Sequence, residues 1–143
     1  MSGAQKDHAK IYFNVREHVF LLVALGKWGR FGLKEIGTPT RIPDGEFEYQ
    51  IGRLLVEHLD SFEGNVSSRE NTRRFSDSEY RVFRKQHIGV SVERPPSGEI
   101  ILHPLHHLQG GYVANRGEQV VVRKEDIPDK VPEALREAFR LAT

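Results

Sequence analysis

The strongest constraint on the fold of this chain is the apolar run at residues 19–25, which is followed directly by the glycine-rich basic segment 26–32. A short apolar run rich in Val, Leu and Phe is typical of a buried β-strand. A buried strand that ends in a glycine loop is a common phosphate-binding arrangement. Basic residues that alternate with aromatic residues are also typical of single-stranded nucleic-acid binding. The segment therefore suggests two functions, which the remaining sequence must support.

The phosphate-binding interpretation depends on the glycine spacing in this segment. Gly26, Gly29 and Gly32 are three residues apart, so they match neither the G-x-G-x-x-G pattern nor a P-loop. Pro39 and Pro43 follow, and no long helix is predicted directly after the glycines. Without a helix N-terminus a phosphate cradle lacks its main electrostatic contribution. The sequence therefore does not favour a phosphate site at this position.

Composition argues against several other classes of protein. The 143 residues include 21 basic and 20 acidic side chains, which give a formal net charge of +1. A nucleic-acid-binding domain usually carries a clear basic excess, so this balance argues weakly against that role. Cysteine is absent, which excludes disulfides, thiolate metal sites and cysteine nucleophiles.

The N-terminus and the length of the apolar runs bear on location. The first ten residues are polar, and the longest apolar run is far shorter than the ~20 residues that span a bilayer. We therefore expect a cytoplasmic protein without membrane association. Its length is that of one domain, which we place at residues 1–143 with a flexible segment at 1–9.

Hydrophobic periodicity predicts an α+β fold. Apolar residues at helical spacing predict a helix over 45–62, with Asp44 as its N-cap. A capping box of Ser76 and Glu79 predicts a second helix that ends near Gln86, and a third helix closes the chain. The main strands are predicted at 19–25, 88–94, 99–108 and 118–124, with shorter extended segments at 11–15, 38–43 and 112–114. Hairpin-like spacing predicts a single domain with a largely antiparallel sheet of about five strands packed against three helices.

Three histidines, His103, His106 and His107, lie within five residues and are the main candidates for a metal or acid–base site. On an extended strand His106 and His107 point to opposite faces, and only His103 and His107 share a face. No His-Glu-x-x-His or Gly-x-Ser-x-Gly pattern is present. We therefore predict no metal, no cofactor and no catalytic residue. A small metal-independent nuclease that uses these histidines remains an alternative.

The order of the elements resembles that of a known family. An apolar strand at 20–27 is followed by an extended stretch at 40–43 and by a helix that contains Ile-Gly-Arg-Leu-Leu at 51–55. The chain closes with Ile127-Pro128 and a helix with Ala-Leu-Arg-Glu-Ala at 134–138. This arrangement resembles the immunity proteins of bacterial contact-dependent growth inhibition systems. The likeness covers residues 19–141 and lies in the order of elements rather than in a diagnostic motif.

The resemblance implies a small cytoplasmic α+β protein without catalysis of its own. Such a protein binds the C-terminal toxin domain of a neighbour's effector, often a nuclease, and occludes its active site or an adjacent surface. The family has no shared catalytic residues, and its binding residues vary with the toxin. The resemblance therefore assigns no site residue, and it implies neither a small-molecule substrate nor direct contact with nucleic acid.

A protein that works by surface complementarity binds through charged and aromatic side chains. Acidic residues at a helix start ordinarily complement the helix dipole, and they also attract a basic partner. Carboxylates crowd both ends of the helix predicted at 45–62. We predict that the partner is bound by the carboxylates Glu46, Glu48, Asp60 and Glu63, with Trp28, Phe31 and Tyr49 as aromatic anchors.

The competing function is that of a small nucleic-acid-binding protein. Lys27 and Lys34 bracket the aromatic residues of the glycine-rich segment, and a second basic stretch runs from Arg69 to Arg74. Stacking is worth about 1–3 kcal/mol per base, so a few aromatic residues would suffice. The interpretation in which these aromatic residues pack on the core is favoured, because a net charge of +1 offers little long-range attraction.

Overall fold

The computed structural model describes residues 6–27, 32–63, 76–108, 110–115 and 117–143. These residues form seven β-strands and three α-helices. In chain order the elements are β1 Asp7–Asn14, β2 Val19–Lys27, β3 Leu33–Pro43, α1 Phe47–Asp60, α2 Asp77–Gln86, β4 His87–Arg94, β5 Ile100–Leu108, β6 Gly111–Ala114, β7 Val120–Val122 and α3 Val131–Leu141.

The strands form one antiparallel sheet in the order β3-β2-β1-β4-β5-β6. The N-terminal strand β1 lies near its middle, where Ile11 faces Leu22 of β2 and Val90 of β4. Strand β5 pairs with β7 through Ile100–Leu102 and with β6 through Leu105–Leu108. The predicted α+β class and antiparallel sheet are confirmed, but the sheet has more strands than the five predicted.

Helices α1 and α3 cover one face of the sheet, which we call the helix-pair face. Alternate strand residues such as Ile11, Leu22 and Val90 point to this face, because successive side chains of a strand alternate between faces. The helical spacing of the apolar residues in α1 and α3 supplies the other half of the core. The helices contribute Phe47, Ile51, Leu55, Leu59, Val131, Leu135, Ala138 and Phe139 to this cluster.

Helix α2 packs on the opposite face, which we call the α2 face. Its apolar cluster is smaller and combines Phe83 of the helix with strand residues of opposite parity to those of the main core. The strand members are Tyr12, Leu21, Val23 and Leu25. The predicted capping box of α2 is confirmed, because the Glu79 amide donates to Ser76 Oγ and the Ser76 amide donates to the Glu79 carboxylate.

Two predictions about the ends of elements are wrong. Helix α1 does not begin at an Asp44 cap: residues 44–46 form a 3-10 turn, and the helix follows at Phe47. The Asp44 carboxylate instead accepts a hydrogen bond from Arg136 of α3. The flexibility predicted for residues 1–9 is wrong for Asp7 to Ala9, because β1 begins at Asp7 and Ala9 is fully buried, whereas residues 1–5 lie outside the described part of the chain.

Strands border the glycine-rich segment 26–32 on both sides. Gly26 and Lys27 end β2 and β3 begins at Leu33, whereas residues 28–31 lie outside the part of the chain that the structure describes. The pairing of β2 with β3 is irregular between Leu22 and Ala24, and Gly37 on β3 has a positive φ of 67°. Strand β3 is an outermost strand of the sheet, which is a position where prolines are tolerated.

Candidate partner-binding surface

Three of the seven predicted binding residues lie together where α1 begins. Glu48 and Tyr49 are in the first turn of the helix, and Glu46 immediately precedes it. All three are exposed, and the Tyr49 side chain is 87% accessible. The apolar residues of α1 turn toward the sheet and leave this part of the helix in solvent.

The charges in this turn differ in how far they are already compensated. The Glu48 carboxylate lies 2.7 Å from the Arg136 guanidinium, which also contacts Asp44 at 2.8 Å. Burial lowers the pKa of Arg136, but the hydrogen bonds to Glu48 and Asp44 outweigh it and raise the pKa overall. Glu46 accepts only a hydrogen bond from Gln50 and pairs with no cation of the described chain. Glu46 therefore carries the more available charge.

A shallow groove of about 260 Å³ runs beside Tyr49, between α1 and the segment that leads into α3. Gly52 allows this approach, because a Cβ at that position would lie 2.8 Å from the carbonyl oxygen of Pro128. The two prolines and Tyr49 give the groove rigid, partly apolar walls. The lining residues are Glu48, Tyr49, Gly52, Arg53, Pro128, Asp129 and Pro132.

The remaining predicted carboxylates lie at the far end of α1. Twelve residues at 1.5 Å rise separate Glu48 from Asp60 by about 18 Å along the helix axis. Asp60 pairs with Arg94 of β4 at 2.7 Å. Glu63 forms an isolated bridge to Gly26 and accepts the Lys27 amide through its carbonyl oxygen. The four predicted carboxylates therefore form two separate groups rather than one surface.

Several predicted residues lie outside the part of the chain that the structure describes. The aromatic anchors Trp28 and Phe31 are among them, as are the basic residues from Arg69 to Arg74. Lys27 at the end of β2 and Lys34 near the start of β3 are described, and they bracket the first of these gaps.

The three candidate histidines occupy separate environments. His103 Nε2 lies 2.9 Å from Glu93 on the α2 face, whereas His106 lies 2.6 Å from both Glu118 and the Thr143 hydroxyl. His107 packs against the Tyr112 ring on the α2 face at 4.8 Å. The predicted alternation of faces is therefore confirmed. Within the described ranges no group of three or more His, Cys, Asp or Glu side chains is placed to hold a metal ion.

Sequence reasoning missed a hydrogen-bonded pair on the α2 face, formed by a buried tyrosine and a half-buried glutamate. Tyr12 is only 2% accessible, and its hydroxyl donates to the Glu35 carboxylate at 2.7 Å. Burial and the neighbouring carboxylate raise the pKa of Tyr12 far above its usual range. The phase of Tyr12 in β1, one residue out of step with Ile11, signals that it faces away from the main core. Its partner on β3 has no comparable signal in the sequence.

Comparisons with known proteins support the fold and nothing finer. No protein-family model matches the chain. No curated protein matches it significantly. It is similar in structure to a protein of unknown function from Neisseria meningitidis, with a TM-score of 0.75 and 16% identity over 97% of this chain and 96% of that one. None of the described helices combines the length and apolar character that crossing a membrane requires.

Proposed function

We propose that this protein is an immunity protein that neutralises the C-terminal toxin domain of a contact-dependent growth inhibition effector. The toxin domain is a nuclease in this proposal, and binding occludes its active site or an adjacent surface. The family resemblance of the sequence motivates the proposal. The observation that carries it is the exposed Tyr49 beside the Glu46 carboxylate, which pairs with no cation of the described residues.

An exposed aromatic residue next to a carboxylate with an available charge suits recognition of a basic protein. Interface energy concentrates in a few anchors, and tyrosine is among the residues enriched there. A carboxylate at the edge of such an anchor attracts a positively charged surface and speeds association. A nuclease that binds a polyanion presents such a surface. The groove beside Tyr49 offers room for a side chain of the partner.

The ion pairs within this chain favour some of the predicted carboxylates over others as partner-binding residues. Glu48 and Asp60 are already paired with arginines of this chain, so a partner would have to displace Arg136 or Arg94 to use them fully. Glu46 has no such competitor among the described residues. We therefore expect Glu46 and Tyr49 to dominate binding, and Glu48 to contribute mainly by holding Arg136.

The decisive experiment first asks whether a very large secreted protein is encoded directly upstream of this gene, and then uses the C-terminal domain of that protein. The two proteins are co-expressed and co-purified, and nuclease activity is measured with and without this chain. The expected result is a stable complex and loss of nuclease activity. Tyr49→Ala should weaken binding at least tenfold, as expected of a hot-spot residue worth about 1.4 kcal/mol or more.

Charge-reversal variants separate the electrostatic contribution from the aromatic one. Glu46→Lys should slow association several-fold in low salt and less in high salt, because salt screens exposed charges. Glu99→Lys, at the turn between β4 and β5, is the matched control and should leave association unchanged. Wild-type binding by both Tyr49→Ala and Glu46→Lys would remove this turn from the interface. Absence of any complex, combined with salt-dependent RNA binding by this chain alone, would favour the nucleic-acid alternative.

A further inference from the structure

Strand β7 forms part of an outer edge of the sheet. It pairs with β5 on one side, and among the described residues no strand lies on its other side. The opposite edge, β3, contains Pro39 and Pro43, which interrupt the row of backbone donors and so protect an edge strand from further pairing. Strand β7 consists of three valines, and the Val121 side chain is 49% exposed. The edge at β7 is therefore open to a further strand.

The backbone groups that β7 presents at this edge follow from the pairing of β5. The carbonyl oxygen of Leu105 in β5 accepts a hydrogen bond from the Thr143 amide. Because backbone groups alternate between the two sides of a strand, the even-numbered residues of β5 point theirs toward β6 and β7. Even-numbered residues of β5 lie opposite Val120 and Val122, so these two bond to β5. The Val121 amide and carbonyl therefore point to the open edge.

A groove of about 260 Å³ lies between β7 and α3. Its apolar walls come from Val120 and Val122 of the strand and from Ala134 of the helix, all of which belong to the main apolar cluster or pack against it. All three residues of β7 line the groove, so a strand added to β7 would lie beside it. Alternate side chains of that added strand would point toward the groove.

The charged residues that line the groove favour a cation. Three carboxylates, from Asp126, Glu133 and Glu137, accompany one ammonium, from Lys130. Arg140 already pairs with Glu137 at 2.6 Å, whereas Asp126 and Glu133 pair with no cation of the described residues. An apolar wall beside available carboxylates suits an arginine or a lysine, because the aliphatic stem packs on the wall while the charged head meets a carboxylate.

We propose that an extended segment of a protein partner adds to β7 as an antiparallel strand and places an arginine or lysine side chain in the groove between β7 and α3. One residue of the segment exchanges backbone hydrogen bonds with Val121, and its two neighbours point their side chains toward the groove. In this mode of recognition the backbone supplies affinity and alternate side chains supply specificity. The surface does not use Glu46 or Tyr49, and the proposal does not rest on the immunity function.

The test uses three synthetic peptides and the full chain. The first peptide is acetyl-Thr-Arg-Val-Arg-Thr-amide, in which the central valine lies opposite Val121 and both arginines face the groove. The second replaces both arginines with glutamates, and the third carries an N-methyl group on the central valine, which removes the backbone donor to Val121. We expect saturable NMR shifts of the Val121 and Glu133 amides with the first peptide, with a Kd below about 5 mM at low salt. The other two should bind at least about fivefold more weakly, because each loses one part of the recognition.

A pair of charge reversals tests the part of the groove carboxylates. Glu133→Lys should weaken binding of the arginine peptide at least about fivefold, because it removes an available carboxylate and adds a like charge. Glu57→Lys makes the same change of net charge at an exposed position of α1 and is the matched control, which should bind as the wild type does. Melting temperatures of both variants confirm that they remain folded.

Several outcomes would overturn the proposal. One is the absence of saturable shifts at β7 with up to about 10 mM of the arginine peptide. Others are equal binding by the N-methylated peptide, which would exclude strand addition, and equal binding by Glu133→Lys, which would exclude the groove. A dimer of this chain that pairs through β7 and excludes the peptide would assign the edge to a second copy instead.

Discussion

The two faces of the sheet differ in what their side chains do. The helix-pair face buries a continuous apolar cluster in which Phe20 stacks on Phe47 at 4.0 Å. The α2 face combines a smaller apolar cluster with the part-buried Tyr12–Glu35 hydrogen bond and with the half-buried polar side chains of Lys10, Ser91 and His103. Burial of apolar area dominates folding free energy, so the helix-pair face fixes the fold. The α2 face retains several half-buried polar groups beside its apolar cluster.

A matched pair of truncations measures this difference most directly. Phe47→Ala should destabilise the protein toward the upper end of the ~3–5 kcal/mol range, because Phe47 is fully buried between the sheet and α3. Phe83→Ala should fall at the lower end, since Phe83 keeps 8% exposure and belongs to the smaller of the two apolar clusters. Chemical denaturation of both variants measures the two free energies of unfolding. Equal costs would mean that the two faces contribute equally.

The next largest effect is expected where α1 approaches the segment before α3. Gly52→Ala would place a methyl group 2.8 Å from the Pro128 carbonyl, so we expect a cost of about 1–3 kcal/mol from forced separation. Gly45→Ala is the control, because its Cβ would meet nothing within 4 Å. Thermal unfolding of both variants distinguishes close packing from a general glycine effect. A stable Gly52→Ala variant would contradict the tight packing of the helix-pair face.

Removal of one hydroxyl on the α2 face should have a smaller effect. Tyr12→Phe deletes the hydrogen bond to Glu35 while keeping the ring, and should cost about 1 kcal/mol, because the Glu35 end of the bond is only half-buried. Tyr49→Phe makes the same chemical change at an exposed site and should lie within about 0.5 kcal/mol of the wild type. Denaturant midpoints of the two variants provide the measurement. If Tyr12→Phe is as stable as the wild type, the hydrogen bond between Tyr12 and Glu35 does not contribute to the free energy of unfolding.

The smallest effect is a pH dependence that arises from His8 on the α2 face. Burial lowers the pKa of His8 below its usual value of 6.5, although Glu93 partly opposes the shift. The unfolded chain therefore binds a proton more readily than the folded one, and stability should fall as the pH decreases below 6.5. His8→Gln should flatten the melting temperature between pH 7 and pH 5, whereas His107→Gln, on the exposed end of β5, should not. An unchanged slope in His8→Gln would assign the dependence to other groups.

Much of the fold could be predicted from local pattern. The apolar run of β2, the helical spacing in α1 and α3 and the capping box at Ser76 are local signals, and the structure confirms them. The start of α1 was wrong because Asp44 has a competing partner in Arg136, 92 residues away in the chain. A carboxylate that could cap a helix can instead accept a hydrogen bond from an arginine that only the tertiary fold brings near. The extended segment predicted at 11–15 overlaps β1, but the start of that strand at Asp7 was missed, because its polar half gains stability from neighbouring strands on both sides.

The candidate surface was predictable only in part. Strand parity correctly separated His106 from His107, since alternation is a local property of an extended chain. The exposure of Tyr49 could be predicted, because its position in the helical repeat differs from that of the buried apolar residues of α1. Which carboxylates stay uncompensated could not be predicted, because Glu48 and Asp60 meet arginines from α3 and β4 only in the folded chain.

The sequence by itself determined the class of fold, the positions of the helices and the face toward which each strand residue points. These properties depend on local periodicity and on capping groups within a few residues. Only the tertiary structure decided that β1 lies near the middle of the sheet, that Glu46 rather than Glu48 has no cation among the described residues, and that Lys10, Ser91 and His103 form one row. Two of the contacts behind these outcomes, between β1 and β4 and between Glu48 and Arg136, join residues about 80 to 90 positions apart, and local sequence patterns do not specify such contacts.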